Sequence, residues 1–327
     1  MKVIRTILGD ISPEEMGITD SHDHLIRSGG FEVANNPNSL LDDVPSAIKE
    51  FNDFVDAGGK TIVCMDPIGC GRNVKSMLKV AEALKNRGHI VMTTGFHKGE
   101  FYDNRTSWLA TVDIDKIVEM MVAEIQIGMD VHSYNGPVIE RTKAKAGVIK
   151  AGTGNLLISK LEQKALKVAA ITQQETGCAI SVHTDLGTMA LETAKLLKSY
   201  GADPQKVILC HLQRNPDRYY YEEVLDEGVN LCFDGPNKVK YYTDSILAEN
   251  IIWLVKKGYG RRILLGMDSG FRDAHSAYMA RAGKANGVEY MLNRFVSLLK
   301  RIGIDRKSLD DILKNNAARI FAIEKDN

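Results

Sequence analysis

Short apolar runs recur along the chain, and most are followed by a stretch with helical spacing. Eight of them read as strands: Gly17–Leu25, Lys60–Asp66, His89–Phe96, Ala146–Ala151, Cys178–Asp185, Val207–Gln213, Val229–Asp234 and Arg262–Asp268. Runs such as Thr61-Ile62-Val63-Cys64-Met65 and Val207-Ile208-Leu209-Cys210 are almost continuously apolar, which suits parallel strands covered on both faces. Between them the pattern predicts helices, among them Val74–Asn86, Lys160–Thr176, Thr188–Tyr200, Ser245–Lys257 and Val288–Ile302. Leu161, Ala165, Val168, Ala169 and Thr172 share one face of the second. Gly177, Gly201, Gly228 and Gly258 stand where helices should stop. Eight strand–helix beats without a linker predict one domain over residues 1–327, a (β/α)8 barrel, with a doubly wound open sheet as the alternative. Long connections follow the third, seventh and eighth strands, and long loops in compact domains often carry function.

Composition narrows the partners. Of 327 residues, 44% are hydrophobic and 26% charged, and 42 basic residues balance 42 acidic ones. Zero net charge argues against a general nucleic-acid binder or a polybasic membrane-surface protein. No apolar run approaches the roughly 18 residues of a membrane span, and the opening residues lack a signal-peptide core. Five cysteines form no CxxC pair and read as buried free thiols in a reducing cytoplasm.

In a barrel of this kind the active site lies at the C-terminal ends of the strands. The first strand ends Thr19-Asp20-Ser21-His22-Asp23-His24, and alternation turns His22 and His24 to the same side. The fourth ends on Lys150, the fifth on His183, the sixth on His211 and the eighth on Asp268. A single histidine at a strand end is a weak signal, since most are structural. Four histidines, a lysine and an aspartate at equivalent positions on five strands are a specific one, and their donors suit zinc or a similar divalent metal. Lys150 has three readings: a head that snorkels to solvent, a Schiff-base nucleophile, or a lysine carbamylated by carbon dioxide that bridges two cations. Charge counting favours the third, because a carbamate, Asp268 and a hydroxide offset most of the charge of two divalent ions.

With these residues the sequence resembles the phosphotriesterase family of the amidohydrolase superfamily. The HxH pair, Lys150, His183, His211 and Asp268 match in order and strand, and Asn315-Asn316-Ala317-Ala318-Arg319-Ile320-Phe321 resembles that family's closing helix. The resemblance implies a binuclear centre of zinc, manganese or cobalt. His22, His24 and Asp268 would hold the more buried ion and His183 and His211 the other, bridged by carboxylated Lys150 and a hydroxide. It also implies a homodimer. Two departures count against phosphotriester hydrolysis. The loop Phe233-Asp234-Gly235-Pro236-Asn237-Lys238 lacks the family's histidine, and Leu212-Gln213-Arg214-Asn215-Pro216-Asp217 replaces its acidic run. A lactonase is the reading that remains: the bridging hydroxide attacks a lactone carbonyl, and catalytic Asp268 passes its proton to the leaving ring oxygen.

The loops point to the substrate. Lys238, Lys240, Tyr241 and Tyr242 follow the seventh strand, Arg272 the eighth, and His97, Lys98, Glu100 and Tyr102 the third. Loops after the seventh and eighth strands of such barrels often bind phosphate, and Lys and Arg are its usual partners. His97, Lys98, Tyr102, Lys238, Lys240, Tyr241 and Arg272 are therefore expected to bind a sugar lactone, with a phosphate as an option; some members resembling this sequence act on phosphorylated sugar lactones. Competing readings are another ester hydrolase of the family, a Schiff-base aldolase using Lys150, and a sugar-phosphate-binding barrel without chemistry. His89 is expected to be structural, His132 to lie at the surface, and Trp108 and Trp253 to pack.

Overall fold

The computed structural model describes residues 1–279 and 286–325. Two short strands open the chain, β1 (Lys2–Thr6) and β2 (Gly9–Ile11), as an antiparallel hairpin. Eight parallel strands follow: β3 (Thr19–Asp23), β4 (Thr61–Cys64), β5 (His89–Gly95), β6 (Ala146–Thr153), β7 (Ala179–Thr184), β8 (Val207–Cys210), β9 (Asn230–Phe233) and β10 (Ile263–Leu265). They neighbour one another in sequence order, and all eight coincide with predicted runs. The doubly wound alternative is thereby set aside, because sequential neighbours curl round into a single-domain TIM barrel. The chain ends with β11 (Ile323–Glu324), paired to β1 beneath the barrel. Sequence reading missed β1, β2 and β11, which at two to five residues are too short to show a period.

Alternation explains the apolar runs. Val63, Val91, Val148, Ala179, Ile208, Cys232 and Leu264 turn inward and form one cluster with Ile4 of β1 and with Ala317, Ile320 and Phe321. Their neighbours Ile62, Cys64, Met92, Ile149, Ile180, Leu209, Leu231 and Leu265 belong to a second cluster, between strands and helices. Both faces are therefore dry. On β6, Val148 faces the lumen, so Lys150, two residues on, does too, one layer nearer the mouth.

The predicted helices form at Val74–Leu84, Lys160–Thr176, Ala190–Ser199 and Asp244–Lys256, the last preceding a turn at Gly258. The four glycines named as stops all have positive φ. Val288–Ile302 begins later than predicted, with a π turn at Met291–Phe295 before Val296–Arg301. At Ala190 the helix starts late because Met189 is left-handed, with φ of 58°.

The barrel closes without a regular ladder between β10 and β3. Three amides just beyond β10 close the seam instead: Asp268 N donates to the His22 carbonyl at 2.8 Å, Met267 N to Asp20 Oδ1 at 3.3 Å and Ser269 N to Asp23 Oδ1 at 2.7 Å.

Candidate functional site

The mouth of the barrel gathers the expected ligand residues. Lys150 is 1% exposed, so its head does not reach solvent; Nζ lies 3.4 Å from His22 Nε2. Asp268 Oδ1 lies 3.7 Å from His22 Nε2 and 3.4 Å from His24 Nε2, and its Oδ2 lies 3.9 Å from His211 Nδ1. The His211 ring is centred 4.9 Å from His22 and 4.6 Å from His183. His22, His211 and Asp268 have candidate ligating atoms within 4.8 Å of one another. The backbone works to achieve this. His211 and Asp268 both sit at positive φ, 69° and 48°, a conformation that costs about 1–3 kcal/mol and persists where surrounding structure imposes it. Close approach of β5 to Lys150 needs a glycine: a Cβ on Gly95 would stand 2.2 Å from the Lys150 carbonyl oxygen.

The electrostatics suit a cation. Burial holds the imidazoles of His22 and His211 well below their usual range and brings His183 down to about 4, so all three are neutral donors near neutral pH. Burial also pushes the Lys150 ammonium down. Burial opposes ionisation of Asp268, but Lys238, His211 and Arg214 outweigh it and hold the carboxyl well below the carboxylate range. His183 Nε2 is buried without a hydrogen-bond partner, its nearest carboxylate oxygen being Asp185 Oδ1 at 3.7 Å, and it is a donor atom of the kind a metal would satisfy. The donor set of four imidazoles, a carboxylate and a lysine open to carboxylation therefore fits a divalent centre.

Carboxylates behind the ring of histidines were not singled out from the sequence. Asp66 Oδ2 faces His24 Nδ1 at 3.0 Å, and Asp234 Oδ1 faces His211 Nδ1 at 2.8 Å. Their signal was present, since Asp66 and Asp234 are the last residues of the second and seventh predicted strands. Arg27 also went unnoticed; it pairs with Asp66 at 2.6 Å and reaches His24 Nδ1 at 2.8 Å.

Above the centre lies a cavity of about 450 Å³. His97, Lys98, Lys238, Lys240 and Tyr241 line it, as do His22, His24, His183, His211 and Asp268. Lys150 does not; it lies beneath the histidines. His97 stacks on Phe101 and is centred 4.5 Å from His183. Lys98 pairs with Asp185 at 3.0 Å. Lys238 bonds both the carboxylate and the carbonyl of Asp268, and Lys240 stands over the Tyr241 ring. Two expected substrate residues are elsewhere. Tyr102 is committed to the loop: its hydroxyl donates to the Ile68 carbonyl at 2.7 Å and accepts from His97 N at 2.8 Å. Arg272 turns from the cavity and lies over the Tyr278 ring, 5.4 Å from its centroid. In its place stands Arg214, to which the sequence reading gave no role. It lines the cavity, donates to Asp268 Oδ2 at 2.7 Å and lies over Tyr241. At Gly235 a Cβ would lie 2.0 Å from Tyr242 Oη, so this loop has no room there for an imidazole beside Asp234. His89 is half-buried at the start of β5 and His132 is exposed, as expected.

Fold and site together define a barrel hydrolase of the metal-dependent kind, and comparison with known proteins makes the class specific. The phosphotriesterase family profile matches residues 2–321, and the chain belongs to that family. It is 53% identical over 327 residues to a phospho-furanose lactonase of Mycoplasmopsis synoviae, covering 99% of this chain and 93% of that protein. Among solved structures, an amidohydrolase from Mycoplasma synoviae superposes with a TM-score of 0.97 at 52% identity, covering 100% of this chain and 93% of the other. A lactonase from Listeria monocytogenes superposes with a TM-score of 0.88 at 31% identity, covering 99% and 100%. Among the described residues no helix is long and apolar enough to cross a membrane.

Proposed function

We propose that this protein is a metal-dependent lactonase that opens a phosphorylated sugar lactone. The observation that carries the reading is the convergence of His22, His24, Lys150, His183, His211 and Asp268 at one mouth of the barrel, under a polar cavity. His22, His24 and Asp268 would hold one divalent ion and His183 and His211 the other, with Lys150, carboxylated by carbon dioxide, between them. Zinc suits these ligands best, and manganese or cobalt also fit. Bound ions would lower the pKa of a coordinated water and polarise the lactone carbonyl. Asp268 accepts the proton of the attacking water as the new carbon–oxygen bond forms. It returns the proton to the ring oxygen as the ring bond breaks.

The phosphate reading draws on the cations of the cavity. Lys238 and Arg214 stand beside Asp268, and Lys240 has no carboxylate partner among the described residues. Arg and Lys in a half-enclosed site favour a phosphoryl group, and the relative's name as a phospho-furanose lactonase supports the same class. A Schiff base is disfavoured because Lys150 does not face the cavity. The five cysteines are all buried, which fits a cytoplasmic protein, and we expect a homodimer by likeness to the family.

A panel of furanose lactones, each with and without a terminal phosphate, tests the proposal with protein loaded with zinc, manganese or cobalt in bicarbonate. Chelator-sensitive ring opening with kcat/KM at least tenfold higher for the phosphorylated member is expected. Equal rates for the two members would refute the phosphate preference, and activity indifferent to chelation would refute the metal mechanism.

A further inference from the structure

We infer that Asp234 is a positioning residue that couples the two halves of the metal centre, one carboxylate orienting an imidazole of each. The inference rests on the ligand assignment proposed above, in which His22 serves one cation and His211 the other.

Asp234 follows β9 and is fully buried. Its Oδ1 faces His211 Nδ1 at 2.8 Å and accepts from Gln213 Nε2 at 2.6 Å. Its Oδ2 lies 3.4 Å from His22 Nδ1, close enough for an ion pair but outside hydrogen-bond geometry as the rings stand, and neither of those two atoms has a hydrogen-bond partner among the described residues. They are complementary buried groups left to each other. A carboxylate only accepts, and its two oxygens offer about four lone-pair positions, enough for all three N–H groups at once. A proton kept on Nδ1 leaves the lone pair on Nε2. In His22 that nitrogen is the one turned toward Lys150 and Asp268. Asp66, by contrast, reaches one of these imidazoles, that of His24, and spends its other oxygen on Arg27.

This geometry distinguishes Asp234 from a residue that merely fills space. An asparagine has the same shape but one acceptor oxygen and a donating NH2. The amide can satisfy the His211 side or the His22 side, but its NH2 then opposes an Nδ1–H on the other. That ring must move its proton to Nε2 and lose its ligating lone pair, or turn away. Strain shared between the rings through one side chain should weaken both cations. Outer partners of metal-bound histidines typically govern about 10- to 100-fold of metal affinity.

The test is zinc titration of metal-free full-length protein in bicarbonate against a chromophoric chelator. Wild type should take up two equivalents. Asp234→Asn should weaken both, each about 10- to 100-fold, while Asp66→Asn should weaken one. Circular dichroism of the metal-free variants confirms that they fold. If Asp234→Asn weakens one equivalent or none, the coupling is refuted; a third wild-type equivalent lost in the variant would make Asp234 a ligand and refute the positioning role. Wild type binding fewer than two ions would instead overturn the proposed centre itself. Should Asp234→Asn not fold, nitrogen-15 spectra of histidine-labelled metal-free wild type decide the matter. Nδ1-protonated neutral rings are expected for both His22 and His211, and Nε2 protonation of either refutes the inference.

Discussion

Replacing Lys150 with methionine should stabilise the metal-free protein and abolish its function. The side chain is 1% exposed, and no carboxylate among the described residues lies within ion-pair distance of it. Among the described residues its one hydrogen-bonding neighbour is His22 Nε2 at 3.4 Å. An ammonium so placed has lost its hydration without an anion in contact, and burial pushes it toward the neutral form against the weaker pull of Asp268, Asp234 and Asp66. The cost has a ceiling, because the group can shed its proton. At pH 7, taking a lysine of ordinary pKa about 10.4 to the neutral form costs roughly 4.6 kcal/mol, at about 1.36 kcal/mol per unit. Methionine has a similar length, no charge and a flexible chain that fits irregular space. A gain of about 1–4 kcal/mol in the chelated state follows, of the size seen when buried ions give way to apolar groups. Thermal unfolding of chelated wild type and Lys150→Met reads this directly, and the variant should melt higher. With zinc and bicarbonate the order should reverse, since only wild type gains binding energy. A chelated variant that melts lower than wild type would refute the unpaired-ammonium argument. A variant that still holds two zinc ions tightly would remove Lys150 from the ligand set.

Two further outcomes are expected. Asp268→Asn should lower kcat about 10²- to 10⁴-fold, as loss of a proton-transfer group does, and stopped assays on zinc-loaded protein check this; less than a tenfold loss would exclude Asp268 as the base. A pH dependence should come from the buried pair Glu50 and His275, which face each other at 3.7 Å. Burial disfavours the imidazolium, but Glu50 outweighs it and raises His275. Burial likewise opposes ionisation of Glu50, and His275 outweighs it and lowers Glu50. The imidazolium's contribution is complete below its unfolded value of about 6.5 and lost as pH rises through the raised folded value; that of Glu50 is present above about 4.5 and lost as pH falls through the lowered folded value. His275→Asn should therefore destabilise chelated protein more at pH 6 than at pH 9 in urea unfolding, and an equal loss at both would show the pair to be neutral.

The repeating apolar runs made the barrel legible, because a strand buried on both faces has few ways to be written and each run had room for a helix after it. The convergence of the proposed ligand residues was legible for the same reason: a strand's alternation fixes which way His22, His24 and Lys150 point. Loop residues have no such rule. Tyr102 and Arg272 had the right chemistry and the right loops, yet contacts with Ile68 and Tyr278 send them elsewhere. Arg214 was visible as a departure from the family pattern, but only the fold brings it to Asp268, 54 positions away. The carboxylates behind the histidines were hidden by their ordinariness, since an aspartate at a strand end most often caps a turn.

The joint between β10 and β3 gives the centre a second role. His22 and Asp268 are separated by nearly the whole barrel in sequence, yet they flank the one place where the staves are not laced by a ladder. A cation held from both sides, as proposed, would act there as a clasp, shutting a loop of more than two hundred residues whose closure is entropically costly. Metal loss should then loosen the first and last strands together, so that the route by which the ion leaves is also the route by which the barrel begins to open.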